Sequence, residues 1–270
     1  MGTVLADDGT TYTTLTGWEA VVGTTGGPGG TCTLTGTFDE VGVILDYTNN
    51  SLDDPSATFV YRITGGNFVP TTTSAFGVIT IVTSTIMKDL TIGGTTAREG
   101  GNFIEKGIDI TLTGDETAQL DRVQVSGMGE LGGNDKVGIK CDDQSTTGRS
   151  VQLNYCYVTD IRASGGNSAY GISFAHSNRN LINSANQPSL SANNCTVDSI
   201  TSQNDSSATP NESFGFKVTD ASGTTVQQCV SHKISGGNGY FGGSASVLCF
   251  GGDDGGNDLW GAGQVARANV

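Results

Sequence analysis

Along the stretch 151–161, VQLNYCYVTDI, the apolar residues fall at Leu153, Cys156, Val158 and Ile161, and the same spacing returns in four other places. It is found at Met87, Leu90, Ile92; at Leu120, Val123, Val125; at Ala192, Cys195, Val197, Ile200; and at Val226, Cys229, Ile234, where Ser231 breaks the rule. A second pattern precedes each of these: Gly77-Val-Ile-Thr-Ile, Gly107-Ile-Asp-Ile, Gly138-Ile-Lys-Cys, Gly171-Ile-Ser-Phe and Gly215-Phe-Lys-Val. Those glycines stand 30, 31, 33 and 44 residues apart. A fixed apolar register returning at such intervals predicts stacked coils, each strand pairing with its counterpart in the next coil. The expected fold is therefore all-β, a parallel solenoid.

The first 30 residues depart from the repeat. Leu15, Trp18, Val21 and Val22 lie at helical spacing behind Thr13 or Thr14, either of which could serve as N-cap, and Pro28 sits among glycines just beyond. A short amphipathic helix there would close the open end of the stack. Strand-like runs at 31–38, 41–47 and 58–65 predict less regular first coils. The residues in excess of a minimal coil collect in insertions such as GDETAQ, DDQSTTGRS and AHSNRNLINSANQPS between the two strand patterns, with others at 164–170 and 201–213. The expected organisation is one structural domain: a cap and lead-in over 1–30, a β-helix over 31–250 and a Gly-rich tail over 251–270.

Charge narrows the partners. Thirteen basic residues against 27 acidic ones leave a net charge of −14, which disfavours nucleic acid and anionic membrane, since both need Lys and Arg to neutralise phosphate. Charged residues are only 15% of a chain rich in Gly, Thr, Ser and Asn, a surface suited to work outside cells. The residues after Met1 show neither the basic nor the apolar region of a secretory signal, so the expectation is synthesis in a host cytoplasm and exit by another route.

The coil patterns, with their cysteines and outward Asn residues, resemble the right-handed parallel β-helix superfamily, which includes pectate-lyase-like enzymes and phage tailspike and virion proteins. Tyr12, Leu15, Trp18 and Glu19 resemble a Tyr-x-x-Leu-x-x-Trp-Glu segment that precedes the first coil in β-helix proteins of phages and bacteria. The resemblance covers about residues 10–250 and implies a right-handed parallel β-helix with a short N-terminal capping helix. It does not imply one activity, because the fold carries lyases, hydrolases, adhesins and inert parts.

Several groups could carry chemistry. Cys156, Cys195 and Cys229 share one register position, which predicts a ladder of buried, reduced thiols, with Cys141 and Cys249 inward on the other strand type. Lys88, Asp121, Asn154, Asn193 and Gln227 should form an outward polar ladder. A glycosidase would need two carboxylates in a groove, and Asp160 with Asp198 are the candidate catalytic pair, with Asp142 and Asp143 beside them. A lyase would need a calcium-holding acidic cluster and a base such as Arg162 or Arg179, but no lyase motif can be matched residue by residue. Tyr155, Tyr157, Leu259 and Trp260 are candidates for contact with a glycan or protein partner. His176 and His232 fall in different coils and are expected to be loop or surface residues, and 251–260, GGDDGGNDLW, resembles one disturbed copy of a calcium repeat. No metal and no cofactor is expected. The expected role is a structural virion protein, first a capsid decoration protein, made in the host cytoplasm and held as a homotrimer on a capsid or tail lattice. A polysaccharide-binding or -degrading tailspike-like enzyme and a bacterial surface adhesin are the alternatives.

Overall fold

A computed structural model describes residues 1–24, 29–47, 59–71, 74–93, 104–112, 116–129, 134–143, 150–164, 167–176, 189–202, 213–219, 224–236 and 244–245. Within them the chain is a parallel β-helix with one short helix. Each coil has three legs. The first leg is formed by Thr85–Lys88, Thr117–Asp121, Ser150–Asn154, Ser189–Asn193 and Thr224–Gln227. Thr91–Gly93, Gln124–Ser126, Tyr157–Ala163, Thr196–Ser202 and Val230–Gly236 form the second. The third runs from Val43–Leu45 through Ser74–Ile81, Ile104–Leu112, Lys136–Asp143, Ala169–His176 and Ser213–Thr219 to Ser244–Ala245. The long strand Val60–Phe68 pairs with both Thr85–Lys88 and Thr91–Gly93, joining the first two legs into one sheet.

The repeat seen in the sequence is the register of this stack. Met87, Leu120, Leu153, Ala192 and Val226 stand above one another, and so do Ile92, Val125, Val158, Val197 and Ser231. All of the apolar members are buried. The motif expected to be one strand is, however, two. Apolar residues three apart cannot share a face of a strand unless one extra residue is accommodated, and that residue is found in the left-handed region: Asp89, Arg122, Tyr155, Asn194 and Gln228 have φ of 56°, 54°, 54°, 53° and 51°. These five form the corner between the first and second legs. A second such column, Gly127, Asp160, Ser199 and Lys233, bends the second leg with φ of 69°, 61°, 59° and 53°. The insertion GDETAQ shrinks accordingly, because Thr117, Ala118 and Gln119 belong to a strand.

The glycine column is imposed by close approach. A Cβ added to Gly107, Gly138 or Gly171 would lie 2.3, 2.3 or 2.2 Å from a methyl of Val125, Val158 or Val197, and within 2.7 Å of the next coil's glycine carbonyl. Gly77 does not belong to it. Ile79 pairs with Ile108, which puts Gly77 opposite Lys106 and gives the column position to Val78.

The thiols also serve the backbone. Cys156, Cys195 and Cys229 donate to the carbonyls of Leu120, Leu153 and Ala192 at 3.7, 3.4 and 3.3 Å. Past the left-handed corner the Cys195 N–H is directed at no strand carbonyl, and it donates instead to Cys229 Sγ at 3.3 Å. Cys32, Cys141, Cys156, Cys195 and Cys229 are free and buried; Cys249 lies outside the described residues. The contact with Cys156 holds the Cys195 thiol up at about 12, and burial keeps Cys141 well above the ordinary thiol value, so these groups stay protonated.

At the N-terminal end, Thr3–Ala6 pairs antiparallel with Gly29–Phe38 and, on its other side, with Thr11–Tyr12. The helix Leu15–Val22 starts at Thr14, whose hydroxyl accepts from the Gly17 N–H at 3.1 Å. Glu40 adds a second cap by accepting from the N–H groups of Leu15 and Thr16 at 2.8 and 3.1 Å. Leu15 and Trp18 are fully buried and Val22 packs on the core, whereas Val21, expected on the same face, is 46% exposed. In the coils beyond, Ser213 donates to Ser202 through their hydroxyls at 2.9 Å, although ten residues separate them in the chain.

Candidate functional site

The left-handed corner and the outer face of the second leg carry Tyr155, Tyr157, Asp160 and Asp198. Tyr155 occupies the corner between Arg122 and Asn194 and is 60% exposed. Tyr157, two residues on, stands in the column Gln124, Tyr157, Thr196, Val230, with Tyr157 and Val230 also exposed. Two exposed tyrosine rings thus stand two residues apart beside polar neighbours. Next to Tyr155, Arg122 reaches the preceding coil and grips Asp89 with two bonds of 2.7 and 3.0 Å while also meeting Asp121 at 3.0 Å. That hydrogen bonding holds the Asp89 carboxyl below its ordinary value.

Asp160 and Asp198 lie on neighbouring coils of this leg, one column apart. Asp160 is in the left-handed column beside Ser199, whereas Asp198 pairs in register with Thr159 and His232. Each carboxylate meets a cation: Asp160 accepts from Arg162 at 3.1 Å, and Asp198 pairs with Lys233 at 3.5 Å while accepting from the Ser199 hydroxyl at 3.0 Å. Asp142 is in an ion pair with Lys140 at 3.2 Å on the third leg, away from both. The side chains of Asp143, His176 and His232 are not among those described, and Arg179, Leu259, Trp260 and the 251–260 segment lie outside the described residues. Among the described residues, no three His, Cys, Asp or Glu side chains gather as metal ligands.

The polar ladder of the first leg is in register from Lys88 through Asp121, Asn154 and Asn193 to Gln227. Asn193 donates to the Asn154 amide oxygen at 3.3 Å, linking two coils through their amides.

Sequence reasoning missed the outer face of the third leg. The residue before each column glycine points outward, placing Lys106, Val137, Tyr170 and Phe214 in one column. Tyr170 and Phe214 stack at 5.9 Å, and Lys217 sits 4.2 Å from the Tyr170 ring centre while donating to its hydroxyl at 3.0 Å. That hydroxyl donates to Asp135 at 3.3 Å. In the next column, Asp109 joins Lys106 and Lys140, and Lys140 joins Asp142. Tyr, Lys and Asp in contact could move a proton, but Tyr170 is 6% exposed and burial raises its pKa, so the phenol stays neutral and out of reach of a reactant. Nearby, Lys136 is also buried, donates to the Asn134 carbonyl at 2.8 Å and has its pKa lowered by that burial. The available signal was the repeat itself, because Tyr170 and Phe214 each immediately precede a register glycine.

The chain matches no protein-family model, no curated protein and no solved structure. The functional reading therefore rests on these surfaces alone.

Proposed function

We propose that the chain is a non-catalytic structural part of the outside of a phage-like particle. It is seated as a homotrimer on a capsid or tail lattice, and the corner bearing Tyr155 and Tyr157 is its contact surface. One observation carries this reading: Tyr155 combines a left-handed backbone with a ring 60% exposed to solvent. That conformation costs a tyrosine on the order of 1 kcal/mol relative to Asn or Gly, and no core burial of the ring offsets the cost. Strain of this kind persists where something else depends on the side chain, and a rigid exposed tyrosine contributes most when a partner covers it. The ion pairs holding Asp160 and Asp198 also favour a structural role over an acid-pair enzyme.

A second reading, a glycan lying across the two rings, is favoured by Gln124 and Thr196 flanking Tyr157 in its column. One experiment separates the two. Wild-type, Tyr155→Asn and Tyr157→Asn proteins are sedimented with particles of the virus that encodes the chain and, separately, assayed against a glycan array, with mass measured by analytical ultracentrifugation. The expected result is a trimer that co-sediments, a tenfold or greater loss of particle binding in Tyr155→Asn, and a Tm equal to or above wild type. Binding to glycans but not to particles would replace this reading with the second. A monomer that ignores both would refute both.

A further inference from the structure

We propose that the N-terminal cap is latched by a proton: Glu19, Tyr61 and the Asp46 carbonyl form a chain of three oxygens that closes fully only when Glu19 is protonated, so the helix seats more firmly as pH falls. The Tyr61 hydroxyl lies 3.0 Å from Glu19 Oε1 and 2.9 Å from the Asp46 carbonyl oxygen. A phenol has one proton to donate, yet it is in hydrogen-bond contact with two acceptors. With Glu19 ionised, Tyr61 can satisfy either the carboxylate or the carbonyl. With Glu19 protonated, its O–H donates to the Tyr61 oxygen and Tyr61 donates to Asp46, so both contacts become hydrogen bonds.

The three groups belong to three elements. Glu19 is on the helix, Tyr61 is fully buried in the strand Val60–Phe68, and Asp46 follows the strand Val43–Leu45. The latch therefore ties the cap to the first coils. Gly23 closes its side, since a Cβ there would lie 2.7 Å from the Tyr61 oxygen and 2.8 Å from Glu19 Oε1. The other titratable groups facing the cluster are the Asp46 carboxyl and Tyr47, with Glu40 at the opposite end of the helix. Among the described residues no cation pairs with Glu19 to hold it ionised.

Burial raises the Glu19 pKa in the folded chain, with the Asp46 carboxylate adding to the rise, and together they outweigh the hydrogen bonds from Tyr61 and the Asp46 backbone. A carboxyl raised on folding contributes stability that is fully present below its unfolded pKa and is lost as pH rises through the folded value. The window therefore opens at the ordinary glutamate value, about 4.3, and extends upward.

The test uses the full chain carrying Trp260→Phe, which leaves Trp18, 5.7 Å from Tyr61, as the only indole. Trp18 emission and the urea midpoint it reports are followed from about pH 4 to 7.5, with and without Glu19→Gln. The Gln amide can donate to the Tyr61 oxygen at every pH. The midpoint of the Glu19 protein is expected to fall relative to Glu19→Gln as pH rises, the two converging at the acid end. Parallel profiles would overturn the proposal. So would a Glu19→Gln chain that fails to fold at neutral pH, because the amide should hold the latch closed.

Discussion

Gly171→Ala tests whether the glycine column is imposed by contact between legs. The added methyl would lie 2.2 Å from Val197 Cγ1 and 2.6 Å from the Gly215 carbonyl oxygen. The valine can be removed by mutation; the carbonyl belongs to the next coil's backbone and cannot. Overpacking of this kind costs about 1–3 kcal/mol, and a chain of this size loses roughly 2–4 °C of Tm per kcal/mol. Val197→Ala alone should cost about 2 kcal/mol through lost burial and an unfilled space. If both methyls compete for one volume, the double variant is less destabilised than the sum of the singles by about 0.5–2 kcal/mol. Urea unfolding followed by far-UV circular dichroism gives all three values. A neutral Gly171→Ala, or strict additivity in the double variant, would show that the legs do not meet there as described.

The thiol ladder yields a second expectation. Cys195→Ala should cost about 1–2 kcal/mol, and Cys229→Ala should cost more, because it also strips the Cys195 N–H of its acceptor, a loss of about 1–3 kcal/mol. Reducing agent should leave both Tm values and the wild-type Tm unchanged; a drop on reduction would reveal a disulfide. Purified protein should release no reducing or unsaturated ends from pectate, alginate or bacterial capsule. Release that disappears in Asp160→Asn or Asp198→Asn would make those carboxylates catalytic.

The apolar register was legible because burial leaves little freedom: Met87, Leu120, Leu153, Ala192 and Val226 were aligned correctly from spacing alone. What escaped was the meaning of a three-residue step. Leu153 to Cys156 and Val158 to Ile161 each skip one residue too many for a strand, and both surplus residues, Tyr155 and Asp160, are left-handed. Seven of the eight non-glycine residues in those columns are Asp, Arg, Tyr, Gln, Ser or Lys in single copies or pairs rather than a uniform glycine, so composition gave no flag. The same bend separates Asp160 from the column of Asp198. Gly77 misled because Val78 takes the glycine's place in the earliest coil of the series, where the pattern has not become regular. The outer column of Tyr170 and Phe214 was not legible because Lys106 and Val137 share it, so no residue type repeats from coil to coil.

The hydroxyl bond between Ser202 and Ser213 has a use in engineering. It fastens Ser202, at the end of one leg, to Ser213, at the start of the next, while Ile200 and Phe216 on either side keep the registers of their own legs. Because doubling the length of a connection costs only about 0.6 kcal/mol more, a foreign peptide inserted between Ser202 and Ser213 is expected to leave the repeat in register. The coils below and above then act as a rigid handle, and an epitope or affinity tag grafted there would be displayed without retuning the repeat.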